Sequence, residues 1–231
     1  MRLARIKNSF LASAGDVVFG MEDGTVSIFG LVFGVAATTT DKAVVLIAGA
    51  SGAAAAAVSM MAGTYLDVET ARDEARAAAR TLDAEIERDA EAVVGRVIER
   101  LRRFGLAEDK GAEIERTLRS DPTSLKSMAV AIEAPQPNDG EGPIAQSLWM
   151  LLADFLAAAI PIVPFALWPV PDARLVSAAV TLILLVGLGL GRAVVGRRGV
   201  LRTILETVSI GVAAALAGVL VGVAIGRAFG R

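Results

Sequence analysis

Five long apolar stretches, interrupted by one highly charged segment, constrain the fold of this chain more than any other feature. Of its 231 residues, 54% are hydrophobic and 21% are charged. Residues 67–142 alone hold 18 of the 25 acidic residues and 12 of the 23 basic residues. The remainder is mostly uncharged and rich in Ala, Val, Leu and Gly. This segregation is typical of membrane spans around a hydrophilic insert.

The predicted spans cover residues 10–37, 43–66, 144–168, 175–195 and 203–225. The first is long enough to make a helix of about 42 Å, which exceeds the roughly 30 Å hydrocarbon core, so it must tilt or protrude. The third is interrupted by Pro161 and Pro164. The N-terminus begins basic and turns apolar like a signal peptide, but its acidic residues argue for a retained first helix.

The charged segment is also predicted to be helical. No proline follows residue 66 until Pro122, and the intervening composition favours helix, so the second span should continue beyond the membrane. Two shorter helices, separated at Pro122, and a linker over residues 135–143 complete the segment. We therefore predict an all-α polytopic membrane protein with five transmembrane helices and a cytoplasmic three-helix insert. Its domains are residues 1–66, 67–142 and 143–231.

Basic residues in short segments predict the orientation in the membrane. Two such segments fall on the same side: the N-terminal tail and the last loop, with Arg2, Arg5, Lys7, Arg192, Arg197, Arg198 and Arg202. This pattern predicts a cytoplasmic N-terminus and a C-terminus outside. The Ala- and Arg-rich composition without a targeting segment favours a bacterial inner membrane.

The chain contains no cysteine and no histidine. Disulfides, zinc fingers, iron–sulfur clusters and Cys or His nucleophiles are therefore excluded. A metal ion would need oxygen ligands or methionine sulfur, which suit Mg²⁺, Ca²⁺, Mn²⁺ or Fe²⁺. No nucleophile–base pair or cofactor motif is present, so we expect neither an enzyme nor a tightly bound cofactor.

The first span contains three acidic residues. Asp23 lies about 13 residues into it, about 20 Å along the helix. Glu22 adjoins Asp23, and Asp16 lies seven residues earlier on nearly the same face. A carboxylate at that depth costs several kcal/mol unless it is paired, protonated or facing water, so these are candidate functional residues. The alternative is that the first turns lie in the cytoplasm and the span begins near Gly24.

Three further residues in the spans are candidates for function. Met60, near the inner end of the second span, is either a ligand or apolar filler. Asp154, near the middle of the third span, should face a polar cavity or another protomer. Glu206, one turn into the fifth span, is either an intramembrane acid or one that reaches the inner headgroups.

Acidic residues form a stripe at helical spacing in the insert: Asp83, Glu87 and Glu91, with Glu85 and Asp89 beside it. Two such helices facing each other would bind cations. The alternative is a solvated helix face on which Arg80 and Arg88 pair locally with the acids.

Several segments resemble the vacuolar iron transporter family: DVVFGMEDGTVSIFGLVFGVAA in the first span, AAAVSMMAGTYLDVETARDE at the end of the second, and PIVPF in the third. The resemblance covers nearly the whole chain, with the same order of spans and insert. It implies a homodimer whose first spans line a central path for Fe²⁺ or a similar ion, exported against protons. The family's intramembrane aspartate and methionine match Asp23 and Met60, and its earlier acid matches Asp16.

This sequence departs from the family pattern at two places. An acid that metal-binding members carry in the second span falls on Gly52. Of the family's ligands in the insert, Glu85 and Glu133 remain in the ungapped match. The other ligand positions hold Leu82, Val93, Arg96, Ala129 and Val130. A local shift of the match would recover Glu87, Glu91 and Met128.

We therefore expect weak metal binding by the insert. Its main task would be dimer contact through apolar residues at helical spacing: Val93, Val94, Val97, Ile98 and Leu101.

The leading hypothesis is a transporter that exports Fe²⁺ or Mn²⁺ from the cytoplasm by proton antiport. Its partners would be a second copy, the lipid bilayer, the metal ion and protons, and no nucleic acid. The alternative is a non-transporting membrane scaffold or metal sensor whose acidic insert binds a partner. A scaffold has no need for Asp23 and Asp154 at membrane depth, which separates the two hypotheses.

Overall fold

The structure, a computed structural model, describes Ser9, residues 13–135 and residues 142–229. These residues form helices without strands, which confirms the all-α prediction. The helices are α1 (Ala14–Ala36), α2 (Lys42–Arg103), α3 (Glu108–Ser120), α4 (Pro122–Glu133), α5 (Pro143–Leu167), α6 (Val170–Val195) and α7 (Val200–Phe229). Most of the predicted linker, residues 136–141, lies outside the described residues.

Five helices are long and apolar enough to cross a membrane: α1, α2, α5, α6 and α7. This confirms the predicted number of spans. α1 has 23 residues, which correspond to about 35 Å of helix. Of the predicted first span, residues 10–12 lie outside the described residues.

The prediction that the second span runs on as a helix is confirmed, because α2 extends over 62 residues. Its one departure from helical geometry is at Asp89, with φ −156° and ψ 81°. The Asp89 carboxylate accepts a hydrogen bond of 3.0 Å from the amide of Ala92. Asp89 therefore caps the helical segment that follows it, as an acidic residue does at a helix N-terminus.

The chain divides into two compact units, residues 1–65 with 140–231, and residues 66–139. In the first unit α1 packs against α5, α6 and α7. The apolar core of this unit includes Ile28 and Val32 of α1 together with Ala158 and Phe165 of α5. α1 is thus the central helix of this unit.

Glycines allow α1 to approach its neighbours closely. A Cβ on Gly34 would lie 2.6 Å from the carbonyl oxygen of Gly218 in α7, and one on Gly30 would lie 2.8 Å from that of Ala214. On the other side, Gly20 packs against Met150 of α5. Such contacts between small residues are the usual way in which helices associate in lipid.

The expected interruption of the third span is wrong, because α5 runs without a break through Pro161 and Pro164. The two prolines remove the backbone donors that would bond the carbonyls of Ala157 and Ile160, but a proline does not have to end a helix that is packed among other helices. The hydroxyl of Ser177 in α6 donates a buried hydrogen bond of 2.8 Å to the carbonyl of Pro161. This contact also fixes α5 to α6.

The second unit has its own apolar core, formed by the late part of α2 together with α3 and α4. Val93, Val97, Leu118, Leu125 and Ala129 are buried there. The apolar residues that we assigned to dimer contact therefore do not support that role. Four of them are buried in this core, and the fifth packs against it: Val93, Val94, Val97, Ile98 and Leu101.

Asp121 caps α4, and Pro122 occupies the first turn of that helix. The Asp121 carboxylate accepts hydrogen bonds from the Ser124 hydroxyl at 2.5 Å and from the Thr123 amide at 3.0 Å. Both bonds favour the ionised form, so they lower the pKa of Asp121. The two short helices separated at Pro122 are as predicted.

Candidate functional site

A cavity of about 440 Å³ lies between α1, α6 and α7 in the first unit. Its apolar wall includes Val18, Phe19, Val26, Val195 and Ile210. Its polar lining consists of two acids and two arginines: Glu22, Asp23, Arg192 and Arg198. An apolar pocket with a few convergent charged groups is the usual form of a small-ligand site.

Glu22 is buried and paired. Its Oε1 accepts a hydrogen bond of 3.1 Å from Nη1 of Arg192 in α6. The same oxygen accepts a hydrogen bond of 3.2 Å from the hydroxyl of Thr207 in α7. One side chain of α1 is thereby joined to two other helices.

Asp23 differs from its neighbour in having no such partner. It is half-buried, and among the described residues no hydrogen bond or ion pair holds its carboxylate. Successive residues of a helix point about 100° apart, so adjacent acids face different surroundings. Asp23 therefore presents a free carboxylate to the cavity.

Asp154 is fully buried in α5. Neither of its carboxyl oxygens has a hydrogen-bond partner in the described parts of the chain. A Cβ on Gly24 would lie 2.8 Å from Oδ1 of Asp154, so the glycine that follows Asp23 makes room for this group. The carboxyl groups of Asp154 and Asp23 interact electrostatically. Asp154 is thus packed against α1, a position that the sequence did not predict.

The other acids near the spans are held in polar contacts. Asp16 accepts a hydrogen bond of 2.5 Å from Nε2 of Gln146 in α5, and it does not line the cavity. Glu206 forms ion pairs of 3.3 Å with Arg198 and 3.0 Å with Arg202. Arg198 therefore lines the cavity while its charge is matched by an acid of α7.

Met60 is half-buried on α2 and is not part of the cavity lining. Gly52, which lies where the resemblance would place an acid, packs against α1. A Cβ there would lie 2.9 Å from a methyl carbon of Leu31. A longer side chain at this position would therefore require Leu31 to move.

The acids of the insert pair with basic residues from other turns or helices. Arg96 contacts Glu85 at 2.5 Å and Glu133 at 3.4 Å, and both carboxylates raise the pKa of Arg96. Asp83 pairs with Lys126 at 2.7 Å, and Glu91 pairs with Arg119 at 3.0 Å. These contacts replace the local pairing with Arg80 and Arg88 that the stripe suggested. Glu87 is exposed, and Met128 packs against the core of the unit.

In the residues that the structure describes, no group of three or more acidic side chains converges as metal ligands would. The sequence did identify Asp23 and Glu22. It did not identify Thr207 or Gln146, which are single polar residues in apolar helices. In the sequence Arg192 serves only as a topological signal, although it lies one helical turn before the end of a predicted span.

The model of the VIT family matches residues 14–223, which is most of the chain. This protein belongs to the VIT family. It is also similar to a vacuolar iron transporter of Centaurea cyanus, with 25% identity over 172 residues, 73% of this chain and 69% of the relative. The family resemblance seen in the sequence is thereby confirmed. This VIT family protein is a multi-pass membrane protein and a metal transporter, which is consistent with the expectation that it is not an enzyme.

Proposed function

We propose that this protein exports divalent transition-metal ions, Fe²⁺ or Mn²⁺, from the cytoplasm in exchange for protons. The observation that carries the proposal is the Asp23 carboxylate, which lines the cavity between α1, α6 and α7 and has no partner among the described residues. A carboxylate without a partner is costly at this depth. A divalent cation would offset that cost, so the site favours a cation over a neutral solute.

The ligand set supports a homodimer. One chain contributes Asp23 and the neighbouring Glu22 at the cavity, and no third acid joins them among the described residues. Two copies around a twofold axis would supply two Asp23 carboxylates and two Met60 thioethers. Oxygen and sulfur ligands together suit borderline-soft ions such as Fe²⁺. Asp16, held by Gln146, would lie on the approach to this site.

We assign proton coupling to Asp154. A buried carboxyl group without a hydrogen-bond partner is tolerated as the neutral acid and not as the anion. Arrival of a cation at Asp23 would favour release of that proton, because the cation attracts a negative charge nearby. Glu206 is the weaker candidate, because Arg198 and Arg202 already neutralise it.

We propose a minor metal role for the insert, which would lie in the cytoplasm with the N-terminus. Its matching acids, Glu85 and Glu133, are occupied by Arg96. Glu87, Glu91 and Met128 do not form a group of ligands with them among the described residues. The basic α6–α7 loop supports a cytoplasmic face on the same side. The Ala- and Arg-rich composition favours a bacterial inner membrane as the location.

Transport into proteoliposomes tests the function directly. We expect Mn²⁺ and Fe²⁺ uptake that depends on a pH gradient, and loss of uptake in Asp23→Asn, because the amide keeps the shape but removes the charge. Asp172→Asn is the matched control, since Asp172 is an exposed acid in the first turn of α6. Met60→Leu keeps the volume, so a weakened uptake would report on sulfur.

Two results would contradict the proposal. One is wild-type uptake by Asp23→Asn, which would remove Asp23 from the path. The other is the absence of uptake by folded wild-type protein, which would favour the scaffold or sensor hypothesis.

A further inference from the structure

We infer that Arg192 is an internal counter-ion of the transport site, which competes with the metal ion for Glu22. The inference rests on the proposed function, because it takes the cation at Asp23 as given. It concerns a residue that contributes no metal ligand. Arg192 would set how tightly the ion is held and how readily it leaves.

The geometry places the guanidinium on the carboxylate that a metal ion would use. Nη1 of Arg192 lies 3.1 Å from Oε1 and 3.5 Å from Oε2 of Glu22. The Glu22 side chain is 12% exposed and that of Arg192 is 37% exposed. The carboxylate is thus enclosed, while the arginine reaches it from the cavity that both residues line.

While Arg192 holds Glu22, the cavity offers an entering ion only one free carboxylate. Arg192 matches Glu22, and Arg198 is matched outside the cavity by Glu206. Of the two acids that line the cavity, only Asp23 has no partner among the described residues, so an entering dication first meets a single negative charge. A second carboxylate becomes available only when Arg192 gives up Glu22. An arginine does not lose its proton in proteins, so it can leave only by moving.

This competition links the ion to the helix contacts. Glu22 is the group through which α1 is hydrogen-bonded to Arg192 of α6 and Thr207 of α7. An ion that takes Glu22 would break the contact with α6. When the ion leaves, Arg192 would return and restore it. The ion pair is therefore the element that would transmit occupancy of the site to the wall of the cavity.

Mn²⁺ binding to the full-length protein tests the inference, with free Mn²⁺ measured by its electron paramagnetic resonance signal. We expect Arg192→Gln to bind Mn²⁺ about tenfold more tightly, because the competing charge is gone. We also expect slower Mn²⁺ transport, because the competitor that displaces the ion is missing. A residue with a merely structural role would not produce tighter binding with slower transport.

Arg198→Gln is the matched control. It removes the same charge from the same cavity but leaves the Glu22 pair intact, and Glu206 keeps Arg202. We expect a change in Mn²⁺ affinity of less than about threefold, since only the general field of the cavity changes. Equal tightening in both variants would overturn the inference, because charge alone would then explain it. Unchanged or weaker binding in folded Arg192→Gln would overturn it as well.

Arg192→Lys covers the case in which Arg192→Gln fails to fold. Lysine keeps the charge but not the planar pair of donors, so the contact with Glu22 weakens. We expect Mn²⁺ affinity above that of the wild type by a few-fold, and affinity at or below the wild-type value would overturn the inference.

Asp23→Asn separates this result from the proposed function. If Asp23→Asn abolishes Mn²⁺ binding while both Arg192 variants bind like the wild type, only the counter-ion inference fails. If the wild type binds no Mn²⁺, the proposed function fails and the inference fails with it.

Discussion

Three acids that lie close together on α1 and α5 have three different surroundings. Glu22 has an arginine and a threonine, while Asp23 faces the cavity without a partner. Asp154 is fully buried beside Gly24 and has no hydrogen-bond partner among the described residues. Under the proposed function the same chemical group would serve as a contact between helices, a metal ligand and a proton carrier, according to what surrounds it.

The assignment of Asp154 predicts a separation of stability from transport. Asp154→Asn should leave thermal stability nearly unchanged, because a neutral buried acid without a partner gives way to a neutral amide of the same shape. It should also remove the dependence of Mn²⁺ uptake on a pH gradient. Thermal unfolding and proteoliposome uptake at matched and unmatched pH measure the two effects. Gradient-dependent uptake at the wild-type rate would assign the proton to another group.

At the scale of the helix, glycines of α1 lie at its contacts with α5 and α7. Gly30 and Gly34 let the backbone of α7 approach α1, while Gly24 makes room for Asp154. The resulting contacts are set by backbone atoms, which cannot change rotamer. A glycine in this position has a packing reason that outweighs its low helix propensity.

Gly34→Ala should separate α1 from α7 and lower stability by about 1–3 kcal/mol, the usual cost of overpacking. The new methyl group would otherwise lie 2.6 Å from the Gly218 carbonyl oxygen. Gly187→Ala on α6 is the control, since no heavy atom lies within 4 Å of the added Cβ. It should be neutral or stabilising. Thermal unfolding in detergent compares the stability of the two variants. Equal changes in stability would contradict the close approach of α1 and α7 at Gly34.

The cap of α4 predicts a pH dependence of the second unit. Because the pKa of Asp121 is lower in the folded protein than its ordinary value of 3.8, the cap stabilises α4 fully above about pH 4. That contribution is lost as pH falls through the folded pKa. The protection factors of the α4 amides in hydrogen exchange, which are corrected for the intrinsic pH dependence of exchange, should therefore fall on acidification.

Two variants check this origin of the pH dependence. Asp121→Ala should show low protection factors at every pH, while Asp121→Asn should keep much of the cap without its pH dependence. High protection factors in Asp121→Ala at neutral pH would mean that the core, and not the cap, holds α4 in place.

At the scale of the whole molecule, the acidic insert should contribute little to metal binding. Glu85 and Glu133, the two acids that match the family's ligand positions, pair with Arg96, whose positive charge repels a dication. Calorimetry of the intact Asp23→Asn variant with Mn²⁺ measures the insert without the membrane site. We expect weak heats and no saturation at micromolar concentration. Tight binding of several ions per chain would show that other acids of the insert form a site.

Sequence patterns predicted the five candidate spans, the long helix after the second span and the division at Pro122, because each depends on local composition. They also identified Asp23, since a charge in an apolar run is conspicuous. They did not predict the partners of Glu22, because Arg192 and Thr207 are 170 and 185 residues away. Nor did they predict that α5 continues through Pro161 and Pro164, because the tolerance of a proline inside a helix depends on the helices packed around it.

The central position of α1 has a consequence for biosynthesis. The three helices against which α1 packs, α5, α6 and α7, are translated after the insert. At about 5–20 residues per second, Glu22 would wait roughly 10–35 seconds for Arg192 to be synthesised. During that interval α1 carries Glu22 without the arginine that pairs with it. The Glu22 carboxylate of the nascent protein must therefore be solvated by water or by the insertion machinery until α6 and α7 have been synthesised.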